Sequence, residues 1–285
     1  AIRFTEEFDD KDGLLKTADK LLSTYFFALR ATLLHKDTQN LDAYAVLSPA
    51  TDKKFLTRAP LRKKIRVGEE EQLSFLMSNS FHTARLAYEQ YNLAGVSLGV
   101  AFLAGIAIVD NRAVAQINSN IINANISKVD VWLDSGGPGQ LTEKRTFVID
   151  NTNCANAVRF YFENSLSGFD AYTCTGKFSK VLKTKKTSFK KTLPLSFVVK
   201  DRGVTDLGLN TDTAFEVFSE FITKAEAEWL SELINSTDVF IKQIGETVFT
   251  PVNILTDSQL LFDSNDVAQL RILYAEANPL IPLNN

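Results

Sequence analysis

Alternation of apolar and polar residues over short runs constrains the fold of this chain more than any other sequence feature. In residues 129–134 (VDVWLD) every second residue is aliphatic, and residues 145–150 repeat the pattern. A half-buried strand points successive side chains to opposite faces, so a two-residue period is typical of β-structure. The intervening segment 135–140 contains Gly and Pro and has the backbone freedom of a hairpin loop. The sequence therefore predicts an antiparallel hairpin here.

Similar runs recur along much of the chain. Strands are predicted over residues 24–34 and 41–48, and an aromatic-rich hairpin over residues 157–178 with its turn at LSGF. Short strands separated by turns every 8–12 residues are typical of antiparallel sandwiches. The polar segment 150–154 is the predicted domain boundary, and a length of 285 residues fits two domains. We therefore predict a β-rich domain over residues 1–150 and a β-sandwich domain over residues 151–285.

Two segments have helical spacing. A short helix is predicted near residues 13–22, where leucines and alanine recur every three or four residues. A second helix is predicted over residues 224–235, because Thr223 and Glu226 have the spacing of a capping box. The expected fold class is mainly β (α+β), with two antiparallel β-sandwich-like domains and one packed, capped helix in the second.

The sequence offers little material for catalysis. It contains two cysteines and two histidines and lacks the usual phosphate-loop, dinucleotide, nucleophile-elbow and zinc-protease motifs. The acidic run 69–71 follows Gly68 in a predicted turn, where solvated charge is expected. The predicted 157–178 hairpin places Cys174 opposite residue 159, so no direct bridge to Cys154 is expected. We predict no enzyme activity, no cofactor and no metal site.

The apolar tract Leu93–Val109 has 17 residues and no charged side chain. As a helix it would span about 25 Å, which is short of a hydrocarbon core of about 30 Å. We therefore predict a buried strand pair or a core helix and no membrane span. If the tract is exposed instead, it is a candidate interface.

Basic residues concentrate in two stretches, 53–66 and 177–191, with seven in each of a total of 31. Three explanations remain open: protection of exposed edge strands, charge matching between subunits, and contact with nucleic acid. The candidate subunit-contact or polyanion-facing residues are Lys53, Lys54, Arg62, Lys63, Lys64, Arg66, Lys180, Lys183, Lys185 and Lys186.

Five segments of the second half of the chain carry a family resemblance: 143–150, 158–177, 225–241, 249–254 and 271–282. In them the chain resembles structural proteins from the tail and connector region of tailed bacteriophages that infect Bacteroidetes-type hosts. The resemblance covers about residues 129–285 and implies a non-enzymatic virion subunit, assembled in the host cytoplasm. The implied partners are copies of itself in a ring or tube and other virion proteins, with DNA passing nearby.

A carbohydrate-binding or adhesin-like sandwich is the alternative function. It would use exposed aromatic residues such as Trp132 or Tyr172 as a stacking platform. Large aromatic side chains are more often buried, so both are predicted to be core or cross-strand residues. An enzyme of unfamiliar type is the third hypothesis.

Overall fold

The computed structural model describes residues 4–9, 15–20, 43–46, 53–77, 84–103, 106, 108–109, 112–117, 120–136, 139–152, 154, 156–193, 195–196, 198, 203–242, 248–256 and 267–277. Within these ranges the chain forms strands and one helix, which confirms the mainly β fold class. The elements are β1 (Phe4–Asp9), β2 (Leu15–Lys20), β3 (Ala45–Val46), β4 (Arg62–Arg66), β5 (Glu71–Met77), β6 (Arg85–Asn92), β7 (Ser97–Leu103), β8 (Ile108–Val109), β9 (Arg112–Ile117), β10 (Ile126–Asp134), β11 (Arg145–Asp150), β12 (Val158–Glu163), β13 (Phe169–Cys174), β14 (Phe178–Lys190), β15 (Val204–Thr223), α1 (Lys224–Asn235), β16 (Val239–Lys242), β17 (Thr250–Ile254) and β18 (Val267–Glu276).

A five-stranded and a four-stranded sheet form the first β-sandwich-like unit. Their strand orders are β4-β11-β10-β6-β7 and β3-β5-β9-β8. Inward-facing side chains of both sheets meet in one core, as Phe75 and Ile117 of one sheet and Val129, Leu133 and Phe147 of the other show. The predicted hairpin of the second sheet is confirmed, since β10 and β11 pair antiparallel.

The second unit is a seven-stranded sheet, ordered β13-β12-β16-β17-β18-β15-β14, with α1 packed against it. Thr223 caps the helix: its Oγ1 accepts a hydrogen bond from the Glu226 amide, and the Glu226 carboxylate accepts one from the Thr223 amide. The predicted helix and capping box are therefore confirmed. Trp229, Leu230 and Leu233 are buried on its inner face. Between β11 and β12 the chain passes from the sheets of the first unit to the seven-stranded sheet. The division of the chain into two domains stays a prediction.

The β12–β13 hairpin has a register one residue from the predicted one. Val158, and not residue 159, lies opposite Cys174. The reason is the loop, in which the Asn164 side-chain oxygen accepts hydrogen bonds from the amides of Leu166 and Gly168 at 3.0 and 2.9 Å. Both cysteines are free thiols.

The predicted helix over residues 13–22 is wrong for its described part. Residues 15–20 are strand β2, which pairs antiparallel with β1 in a separate two-stranded sheet. Pairing with β1 satisfies the backbone of this segment, and cross-strand pairing commonly overrides local spacing in so short a run. The strand predicted over 24–34 lies outside the described residues. Of the strand predicted over 41–48, residues 43–46 are described: residues 45–46 form β3, whereas residues 43–44 are a 3₁₀ turn.

Candidate functional site

The first basic stretch divides into buried and exposed residues. Lys54, Arg62 and Lys64 are exposed and Lys53 is half-buried, whereas Lys63 and Arg66 are buried. The two buried cations are bonded within the chain, so they are not available for a subunit contact. The Arg66 guanidinium binds the Asp150 carboxylate at 3.4 Å and the carbonyl oxygen and hydroxyl of Thr152.

Lys63 belongs to a buried ionic cluster that joins the two units. Its ammonium donates to both carboxylate oxygens of Glu71 at 2.9 Å and to the carbonyl oxygen of Ala171. Arg159 on β12 binds Glu71 at 2.9 Å and Glu69 at 2.8 Å, and both acids are buried. Burial disfavours the charge on Arg159, but the two carboxylates more than offset this and keep its pKa above the ordinary value.

This cluster corrects the prediction that residues 69–71 are solvated charges. Glu69 and Glu71 are buried, and Glu70 binds Lys242 at 2.8 Å. The alternation in β5 contained the missing signal, because Glu71 has the same phase as the buried residues Leu73 and Phe75.

Asp170 lies beside the cluster as a buried carboxylate. It accepts hydrogen bonds from the Thr57 hydroxyl at 2.9 Å and from the Trp229 indole N–H at 2.8 Å. Burial raises the pKa of Asp170, and Lys63 opposes that shift. Burial likewise lowers the pKa of Lys63, opposed by Glu71. The cluster is therefore a satisfied network that ties β4, β5, β12 and β13 together.

A cleft of about 390 Å³ opens next to this cluster, between the two units. Lys64, Asp150, Glu220 and Trp229 are among its lining residues. The Lys64 ammonium binds Glu220 at 3.0 Å, and the Thr175 hydroxyl donates to Glu220 at 2.8 Å. These two hydrogen bonds hold the pKa of Glu220 below its ordinary value. The carboxylate of Glu220 is thus neutralised within the chain.

Glu232 of α1 gives a pH-dependent prediction. It is buried, and its carboxylate accepts hydrogen bonds from the hydroxyl and amide of Ser165 at 2.7 and 3.3 Å. Burial raises its pKa above the ordinary value of 4.5. Ionisation in the folded state therefore lags behind ionisation in the unfolded state, and this group destabilises the fold as pH rises from 4.5 through the raised value.

We expect the free energy of unfolding of Glu232→Gln, whose amide oxygen can still accept a hydrogen bond from Ser165, to be no higher than that of wild type near pH 4. As pH rises, the stability of the variant relative to wild type should increase. Urea unfolding of both proteins at several pH values measures this difference. Parallel stability profiles across that range would contradict the expectation.

The second basic stretch forms a projecting hairpin, here named the arm, consisting of residues 181–190 of β14 and 204–214 of β15. The ladder between β15 and β18 stops at Phe215, so within the described structure the arm strands pair only with each other. Lys185 and Lys186 are exposed on it, and Lys186 lies 3.8 Å from Asp206. Lys180 is exposed at the base of the arm, and Lys183 stands opposite Asp212 in the ladder.

Apolar side chains of the arm are also exposed. Val181 and Leu182 are adjacent in β14 and so point to opposite faces. At the far end of the arm, Phe189 lies opposite Thr205 and Val204 lies opposite Lys190, and both apolar side chains are exposed. Among the residues that the structure describes, the arm therefore has exposed apolar side chains on both faces. β14 is the outer strand of its sheet, as the edge-protection explanation of the lysines requires.

The apolar tract 93–109 contains two strands, β7 and β8, but the burial predicted for it is wrong for its first part. Residues 97–103 form β7, the outer strand of the five-stranded sheet, and follow an exposed turn. Leu93, Val96, Leu98, Val100 and Phe102 are between 42% and 67% exposed. Leu103 and Ile106 are half-buried and pack against the core, so the exposed part of the tract is residues 93–102. Among the described residues, no helix has the length and apolar character needed to cross a bilayer.

The two aromatic residues of the carbohydrate hypothesis do not form a platform. Trp132 is buried, and the Lys144 ammonium covers its ring at 4.2 Å. Tyr172 is half-buried and packs edge-on against Trp229 with ring centroids 6.0 Å apart. The prediction that both are core or cross-strand residues is confirmed.

Comparison with known proteins does not assign the chain to a family. Neither a protein-family model nor a curated protein matches the chain.

Proposed function

We propose that this protein is a non-enzymatic structural subunit that assembles with copies of itself, in the tail or head–tail connector region of a phage virion. The observation that carries the self-assembly is the arm. The resemblance of residues 129–285 to tail and connector proteins supports the virion setting, with assembly in the host cytoplasm and other virion proteins as further partners.

The arm has the properties of a segment that is completed by a neighbour. A two-stranded hairpin by itself is marginally stable in water. This one has no described layer beneath it and leaves Leu182 and Phe189 more than half exposed. Contact with another subunit would bury these side chains and support both strands.

Charge favours another copy as that neighbour. The arm contains four lysines and two aspartates, a net charge of +2, which leaves a net charge of −5 for the rest of the chain because the total is −3. A basic arm and an acidic remainder attract each other between copies, in a head-to-tail contact that generates rings or tubes. A DNA-facing role is less favoured, because a lumen through which DNA slides seldom needs strong positive charge.

We expect the triple substitution Lys183→Glu, Lys185→Glu, Lys186→Glu to raise the concentration needed for assembly by about tenfold or more, because it places like charges at the contact. Size-exclusion chromatography with light scattering over a concentration series measures this, with negative-stain images of the peak fractions.

The matched control replaces the same three lysines by arginine, which keeps the charge, and should assemble like wild type. Unchanged assembly of the glutamate variant would overturn the arm contact. A wild-type chain that stays monomeric at every concentration would overturn self-assembly of the protein alone. Loss of DNA binding in the glutamate variant without loss of assembly would identify a nucleic-acid surface instead.

A further inference from the structure

The outer strand β7 presents a second surface, which no other strand of the described structure pairs with on its outer side. Leu98, Val100 and Phe102 are exposed, although the Arg85 guanidinium lies 3.4 Å from the centre of the Phe102 ring. Ala101 and Leu103 are half-buried. An exposed apolar edge strand is a template for pairing with another strand, and soluble proteins usually protect it with charge or cover. β7 contains no charged residue.

The occupant of this edge has to supply backbone hydrogen bonds. The inner side of β7 pairs with β6, and its position at the end of the strand order leaves the outer N–H and C=O groups directed away from the sheet. A lipid surface would cover the apolar side chains but would leave these groups unsatisfied in hydrocarbon. A β-strand satisfies both needs, so a protein strand is favoured over a membrane.

Charge selects a second copy of the same strand. Among the other outer strands of the three larger sheets, β3 and β8 have two residues each and β13 packs against β5. β4 exposes Arg62 and Lys64, and β14 contains five lysines. A pair of two β4 strands or of two β14 strands would bring like charges together. A pair of either strand with β7 would place those charges against apolar side chains. An uncharged β7 meets another β7 without repulsion, and a two-fold axis brings apolar side chains of both copies together.

We propose that β7 pairs antiparallel with β7 of a second copy of this chain, which forms a two-fold contact distinct from the arm contact. This inference rests on the proposed self-assembly and specifies one of its interfaces. The shift in register between Glu89 and Tyr91 and the positive φ of Gly99 place a bulge in the strand. The regular ladder is therefore Val100–Leu103, and the two-fold axis lies close to Ala101.

Cross-linking tests this geometry directly. We expect Ala101→Cys to give a disulfide-linked dimer under mild oxidation, with a yield about tenfold above that of Val248→Cys. Val248 is the matched control because it is 69% exposed and lies outside β7, so random collision would cross-link it at least as readily. Wild type, with Cys154 and Cys174, gives the background. Equal yields from the two variants would overturn the proposal.

A charge substitution tests the same contact without cysteine chemistry. Val100→Lys should weaken dimerisation by about tenfold or more in sedimentation experiments, whereas Val248→Lys should not. Unchanged dimerisation of Val100→Lys would count against the β7 pair. Flotation of wild type, but not of Val100→Lys, with phosphatidylcholine vesicles would overturn the proposal in favour of lipid.

The arm variant separates failure of this inference from failure of the proposed function. With the three arm lysines changed to glutamate, Ala101→Cys should still cross-link, since the two contacts use different sheets. Cross-linking without rings or tubes in wild type would remove the proposed larger assembly and keep the β7 pair. If wild type formed rings or tubes but Ala101→Cys cross-linked only at the background yield, the larger assembly would stand and the β7 pair would be overturned.

Discussion

Replacing Arg159 with methionine is expected to destabilise the folded protein by about 3–5 kcal/mol, because it leaves the buried Glu69 carboxylate without its cation and Glu71 with Lys63 alone. The Arg159 guanidinium binds Glu69 and Glu71 at 2.8 and 2.9 Å, and it also donates to the Tyr161 hydroxyl and the Glu70 carbonyl oxygen. Methionine retains much of the side-chain length but none of these donors. Equilibrium unfolding in urea measures the change in the free energy of unfolding.

The matched control is Arg271→Met, which removes an exposed arginine that binds Glu216 on the sheet surface. Exposed ion pairs contribute about 0–1 kcal/mol, so this variant should stay close to wild type. Adding Glu69→Gln to Arg159→Met should recover part of the lost stability, because a neutral side chain is less costly to bury and Glu71 still balances the buried Lys63. A stability loss no larger for Arg159→Met than for Arg271→Met would contradict the structural role of the cluster.

Replacing Trp229 with alanine should also destabilise the protein by about 3–5 kcal/mol, the usual range for a buried large aromatic side chain. Its ring packs against Phe162 and Tyr172, each with centroids 6.0 Å away, and the Lys63 ammonium lies 5.1 Å from its centre. The substitution leaves a cavity between α1 and the sheet. It also removes the indole donor of the buried Asp170 carboxylate.

Trp229→Phe separates these two contributions, because phenylalanine fills most of the space but donates no hydrogen bond. We expect it to lose about 1–3 kcal/mol, the usual penalty for leaving one buried polar group short of a partner. Thermal and urea unfolding of the two variants provide the comparison. Equal losses for Trp229→Ala and Trp229→Phe would show that packing against the ring contributes nothing.

The sequence predicts secondary structure well where the residues that determine an element lie within that element. The β10–β11 hairpin follows from alternation, and α1 follows from the side chains of Thr223 and Glu226 that complete its first turn. The register of β12–β13 differs by one residue, since it depends on how Asn164 folds the loop. In residues 15–20 the decisive partner is β1, which no local spacing reveals.

The candidate surfaces were less accessible to sequence reasoning. The position of Lys185 and Lys186 on an exposed outer strand follows from composition, but the projection of that strand depends on where the β15–β18 ladder ends. The burial of Lys63 requires Glu71 and Arg159, which approach it from other strands. Exposure of the apolar tract likewise depends on the strand order that places β7 at the sheet edge.

The proposed arm contact has a consequence for how subunits approach each other, because the arm has a net charge of +2 and the rest of the chain a net charge of −5. Under that proposal, an arm and the remainder of a second copy attract each other over a Debye length of about 8 Å at physiological ionic strength. We expect this attraction to favour arm-to-body over arm-to-arm encounters and to raise the rate of association. Electrostatics would then orient the two copies before any apolar side chain is buried.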